Sequence, residues 1–168
     1  SVDSDVITIS DAALPVIASA ETGDVNNDGT VDRLTLTFSE QVDLSSVDNN
    51  NFTLTERPSG SSAAISSTYT SSNQTSVVLT LTGVTANQTD HTISPNYNDA
   101  TGTIIDNASN EMSFSETVTG TDGAAPVLLS ADYKDTNGNN IVDRIDAKFS
   151  EDISSSVFED ADWTFPTR

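Results

Sequence analysis

The chain contains no cysteine, so neither a disulfide framework nor a thiolate metal site is open to it. Its one histidine, His91, would have to serve any Ser-His-Asp arrangement, yet it lies in an alternating strand-like run that reads as structural. Residues 1–125 hold no lysine, which excludes a Lys–Asn isopeptide crosslink there. Basic side chains are scarce: six lysines and arginines face 26 acidic residues, for a formal charge of −20. Such a surface repels nucleic acid and anionic lipid, and it opposes compaction until cations or salt screen it. No apolar run reaches the roughly 18 residues that a membrane-spanning helix needs. A signal segment is missing as well, as expected of an internal fragment or a mature chain.

What is abundant is serine and threonine, 47 of 168 residues, without any stretch monotonous enough for a mucin-like stalk. These residues fill alternating runs. Val31–Ser39 places Leu34, Leu36 and Phe38 on one face and Arg33, Thr35 and Thr37 on the other. Phe52–Thr55, Ile65–Thr70, Val77–Thr82, His91–Ser94 and Phe114–Thr119 read likewise as half-buried strands. Turn clusters separate them, among them Arg57-Pro58-Ser59-Gly60 and Asp106-Asn107-Ala108-Ser109-Asn110. The only plausible helical turn is Leu44–Val47. The expected fold is all-β, an Ig-like sandwich of about seven short strands.

A repeat divides the chain. Pro15–Glu40 and Pro126–Glu151, 111 residues apart, are identical at 12 of 26 aligned positions. A period of this length implies tandem modules. Residues 15–125 are then one complete repeat and 126–168 the N-terminal part of the next. Residues 1–14 read as the last strand and linker of a preceding one, since Asp11 and Asp122 both sit four before the proline.

Inside each copy lies an acidic loop. The first carries Asp24, Asn26 and Asp28 at positions 1, 3 and 5, then Gly29 for a sharp turn, and Asp32 at position 9. Calcium prefers six to eight hard oxygens, and alternating Asp and Asn side chains with the Thr30 carbonyl supply them. Position 12 is Thr35 rather than the glutamate of an EF-hand, and a strand follows, so an outside ligand should complete the shell. Asp122 in the linker is the expected one, with Glu21 as runner-up, because loop and linker should share a pole of the sandwich. The second loop offers Asp135, Asn137, Asn139, the Ile141 carbonyl and Asp143. The bland alternative is that both are polar turns, which these residue types favour without metal. Glu40 and Asp43 could mimic an acid/base pair, but they fall in a strand motif and its following turn.

Phe38-Ser-Glu-Gln-Val-Asp-Leu-Ser-Ser-Val, followed by Asn51-Phe52-Thr-Leu54, resembles the bacterial Ig-like domains first described in S-layer proteins. Their pattern runs F-S-E-P-V-D-x-S-S-V and then N-F-T-L, and a late I-x-D-x-x-G-N is matched by Ile104 to Asn110. The sequence departs at Gln41 for proline, at Ser109 for glycine, and in the longer acidic loop. The resemblance implies a spacer or lattice module of a secreted surface protein, and no particular ligand. The expectation is therefore a non-enzymatic, calcium-stabilised repeat of a bacterial or archaeal S-layer or adhesin stalk. It would be extracellular, where calcium is millimolar, and would pair with neighbouring repeats or self-assemble into a lattice or filament. The competing expectation is an accessory or glycan-binding module of a large secreted enzyme.

Overall fold

The computed structural model describes residues 9–57, 64–65, 73–84, 89, 92–98, 103–112, 117–154 and 163–164. Strands dominate them: β1 (Ile17–Gly23), β2 (Arg33–Asp43), β3 (Phe52–Glu56), β4 (Ala64–Ile65) and β5 (Asn73–Thr82) come first. They are followed by β6 (Ser94–Tyr97), β7 (Gly120–Thr121), β8 (Leu128–Lys134) and β9 (Arg144–Phe149). One sheet has the order β4-β5-β2-β1-β7, a second pairs β3 with β6, and a third is the β8-β9 hairpin. The all-β expectation holds.

The core follows from alternation. In β2, Leu34, Leu36 and Phe38 are buried while Arg33, Thr35 and Thr37 stay half-buried. Val77, Leu79 and Leu81 of β5 continue the same apolar face beside it. Phe52 and Tyr97, from the β3-β6 pair, join this cluster, so the two sheets share one core. Each fully buried side chain of this size contributes about 1.5–3 kcal/mol. Tyr97 keeps its hydroxyl satisfied there by accepting from Ile104 N at 3.1 Å.

β1 and β7 run parallel, with Ala20 opposite Gly120 and Glu21 opposite Thr121. Thr121 Oγ1 donates to Ala20 O at 3.1 Å, and Thr22 Oγ1 donates to Thr121 O at 3.3 Å. Gly120 is required, because a Cβ there would run into the Ile93 carbonyl. Parallel strands end at the same side of the sheet. The loop after β1 and the linker after β7 therefore leave from one pole, as expected.

Some boundaries differ. The strand expected at His91–Ser94 begins at Ser94 and extends to Tyr97 instead. Proline 95 breaks the sequence pattern, yet it sits opposite Leu54, and its carbonyl accepts from Val118 N at 3.1 Å. The last strand lies at Gly120–Thr121, beyond the expected Phe114–Thr119; His91, 66–70 and 114–116 fall outside the described residues. The helical turn expected after β2 is a three-ten turn, Leu44–Ser46, capped by Asp43, and it is not the only one: a second follows at Asn49–Asn51, capped by Asp48.

The second hairpin copies the first. Leu128 faces Phe149 and Ser130 faces Lys148, with the same bulge between them as at Ile17/Phe38 and Ser19/Thr37. Ser39 N donates to Val16 O and Ser150 N to Val127 O, both at 2.9 Å.

Candidate metal centre

The loop between β1 and β2 is organised by its own carboxylates. Asp24 Oδ1 accepts from Asp28 N at 3.3 Å and Oδ2 from Gly29 N at 2.7 Å. Asn26 Oδ1 accepts from Asp28 N, Asp28 Oδ1 from Thr30 N, and Asp32 Oδ1 from Val25 N, at 2.9–3.0 Å. Two left-handed residues make the turn possible, Asn27 at φ 56° and Gly29 at φ 82°. Both types tolerate that region, for want of a Cβ or by local side-chain bonding.

The second loop repeats these bonds with different side chains and adds a backbone-amide bond, from Gly138 N to Asp135 Oδ1 at 2.7 Å. Asp135 accepts from Asn139 N (3.2 Å) and Asn140 N (2.6 Å), Asn137 from Asn139 N (3.0 Å), and Asn139 from Ile141 N (2.8 Å). Asp143 accepts from Thr136 N at 2.8 Å, as Asp32 does from Val25. The left-handed residues are now Gly138 and Asn140, in swapped order. In Asp135, desolvation raises the pKa, but amides of Asn140, Gly138, Asn139 and Asn137 outweigh it and hold the carboxyl below its ordinary value. Asp143 is held low chiefly by the backbone and side chain of Thr136. Both stay ionised as a cation would require.

The donor set fits calcium: every side-chain group in both loops is oxygen, with no imidazole or thiolate among them. The carboxylates are turned towards the amides of their own loops, and Asp24, Asp28 and Asp32 form no close three-carboxylate group. Asp122 lies in the linker at the same pole, exposed, with Oδ1 accepting from Ala124 N at 3.1 Å. Glu21 packs against Gly123 beside it. The structure thus gathers the residues of each loop locally and leaves Asp122 bonded within its own turn.

Among the described residues, the one acidic trio lies elsewhere. Asp11, Glu40 and Asp106 bring a carboxylate oxygen each within 4.8 Å of the others. Glu40 stands seven residues along β2 from Arg33, so the trio is on the order of 20 Å from the loop, near the opposite pole. Asp106 is 3 % exposed and accepts from Ala108 N (2.8 Å), Asn110 N (2.7 Å) and Asn110 Nδ2 (2.8 Å). Ser109 closes this turn at φ 69°, a left-handed backbone that glycine adopts most readily. Each member sits in a motif already visible in the sequence, Asp11 before the proline, Glu40 in Phe-Ser-Glu, Asp106 in Ile-Ile-Asp. Only the fold brings the three together. Asp43 is not part of it: its carboxylate accepts from Ser45 N at 2.9 Å and Ser45 Oγ at 2.7 Å as a turn cap.

Desolvation and then the charges of Asp11 and Asp106 raise the Glu40 pKa above its ordinary 4.5. Asp106 goes the other way, since the Asn110 and Ala108 hydrogen bonds outweigh its desolvation. The signs follow from linkage. The Glu40 contribution is fully present below about pH 4.5 and is lost as pH rises through the folded value. That of Asp106 is lost as pH falls through its lowered value. In EDTA, Glu40→Gln should therefore raise the melting temperature at neutral pH and flatten its decline above pH 4.5. A melting series from acid to neutral pH checks this; a lower melting temperature in the variant would show that the ionised carboxylate stabilises.

No family model, curated protein or solved structure matches this chain.

Proposed function

We propose that the chain is a non-enzymatic structural repeat of a bacterial or archaeal cell-surface protein, stabilised by calcium in its acidic loops. On this reading residues 15–125 form one Ig-like sandwich, with 1–14 the end of a preceding repeat and 126–168 the start of the next. The observation that carries it is the rebuilding of one loop at two places 111 residues apart. Side chains differ at positions 2, 4, 5, 6 and 7 of the loop, yet each bond from a backbone amide to a side-chain oxygen in the first copy recurs in the second. A conserved bond pattern with Asp or Asn at every oxygen position is what a shared cation ligand set requires. Five strands and two strands closing over one core support the sandwich.

Bound calcium would supply positive charge to a surface of formal charge −20. Asp24, Asn26, Asp28, Asp32 and the Thr30 carbonyl would hold it in the first loop. Asp135, Asn137, Asn139, Asp143 and the Ile141 carbonyl would hold it in the second. The oxygen-only ligand set and the excess of acid fit a secreted surface protein, an S-layer or adhesin stalk, whose partners are neighbouring repeats. Calorimetric titration with calcium is the test. Two binding events are expected; Asp24→Ala with Asp28→Ala should delete one, and Asp135→Ala with Asp143→Ala the other. Asp122→Ala should weaken only the first. A titration without heat or saturation would sink the calcium reading, and an unaltered Asp122 variant would make the first ion local to its loop.

A further inference from the structure

The turn of the first acidic loop also makes a contact outside that loop. Gly29 is buried, and a Cβ built on it would lie 2.7 Å from Leu129 Cδ2 and 3.2 Å from Ser150 Cβ. These residues belong to the start and the end of the second hairpin. Beside them Thr89, fully buried, places its Oγ1 2.7 Å from Ser150 Oγ and 3.0 Å from Glu151 Oε1. Ser150 is 4 % exposed and also accepts from Val127 N at 2.9 Å, which fixes it to the linker. The hairpin is thus seated on the preceding unit by a leucine side chain and a pair of hydroxyls.

The repeat supplies a comparison. The counterpart of Leu129 is Ala18, and the counterpart of Gly29 is Asn140; both are exposed. Both partners in the contact have changed size between the copies. Asn140 also holds the left-handed backbone, at φ 64°, so asparagine is compatible with this turn. What asparagine removes is the room that Leu129 occupies.

We propose that Gly29 and Thr89 form a socket for the unit that follows, and that the residue at position 6 of the loop selects which unit can dock. A glycine loop accepts a leucine knob, as Gly29 accepts Leu129. An asparagine loop accepts a hairpin with a small residue at the knob, as at Ala18. The Asn140 loop is then a docking face for a hairpin built like residues 15–40. The socket is apolar and hydroxyl-lined, needs no cation, and goes beyond the calcium reading.

Residual dipolar couplings of the whole chain in EDTA test this, because they report whether β8-β9 and the β2-β5 sheet share one orientation. In the parent they should fit a single alignment tensor. Gly29→Asn should displace Leu129 and abolish the shared tensor. Adding Leu129→Ala to it, which reproduces the asparagine–alanine combination proposed for the Asn140 loop, should restore the tensor. Leu129→Glu leaves the loop untouched and should uncouple the hairpin on its own, so the outcome does not hang on how the Gly29 variant folds. A parent hairpin that tumbles independently overturns the proposal. So does a Leu129→Glu variant that keeps the single tensor, or a double variant that fails to regain it. Because no calcium is present, failure here leaves the titration result standing, and the reverse.

Discussion

Millimolar calcium should raise the melting temperature of this chain clearly above its value in EDTA, with magnesium less effective. An ion that binds only the folded state adds about 2.7 kcal/mol at a hundred times its dissociation constant. For a chain of 168 residues, 1 kcal/mol moves the midpoint by roughly 2–4 °C, so a shift of about 5–10 °C is expected. The unfolded chain competes poorly, because the loop is drawn into one turn only when Asn27 and Gly29 adopt their left-handed backbone. Magnesium demands near-ideal octahedral geometry and keeps its waters, which a loop of five or six protein oxygens does not satisfy. Asp24→Ala with Asp28→Ala should abolish the calcium-dependent shift from the first loop. The same change should also lower stability slightly in EDTA, since Asp24 caps the amides of Asp28 and Gly29. Superimposable melting curves with and without calcium would remove the metal from the account of this protein.

Leu36→Ala should cost about 2–5 kcal/mol, the range for emptying a packed leucine site. Leu36 is wholly buried between the two sheets that share the core. Against a total stability of about 5–15 kcal/mol, that loss is a large share. The repeat offers its own control, because the counterpart of Leu36 in the second hairpin is Ala147, which is exposed. Ala147→Leu should change stability by no more than about 0.5 kcal/mol, as surface substitutions do. Urea unfolding of both variants gives the comparison. Equal and large effects would mean that β8-β9 is enclosed in solution as β1-β2 is.

Much of the fold was legible beforehand, and for a definite reason. Leu34, Leu36 and Phe38 alternate with polar residues, and a period of two has only one physical use, a sheet with one wet face. The acidic loops were legible because Asp, Asn and Gly announce a turn that binds its own amides. The candidate site was legible only in part. Asp24, Asn26, Asp28 and Asp32 fall within nine residues, so local geometry alone gathers them. The expected extra ligand Asp122 reaches the right pole, yet its carboxylate bonds to Ala124 N.

What the sequence determined alone is whatever rests on neighbours along the chain: strand faces, turn types, the Asp43 cap and the duplicated loop. Tertiary structure decided the rest. Asp11, Glu40 and Asp106 meet from three separate stretches of the chain, and Thr89 meets Ser150 across 61 residues. The parallel β1-β7 pairing joins residues about a hundred apart and rests on Gly120 fitting against the Ile93 carbonyl. No local period marks such encounters. Each depends on how whole sheets stack once the core closes, and a side chain's chemistry does not say which distant partner it will face.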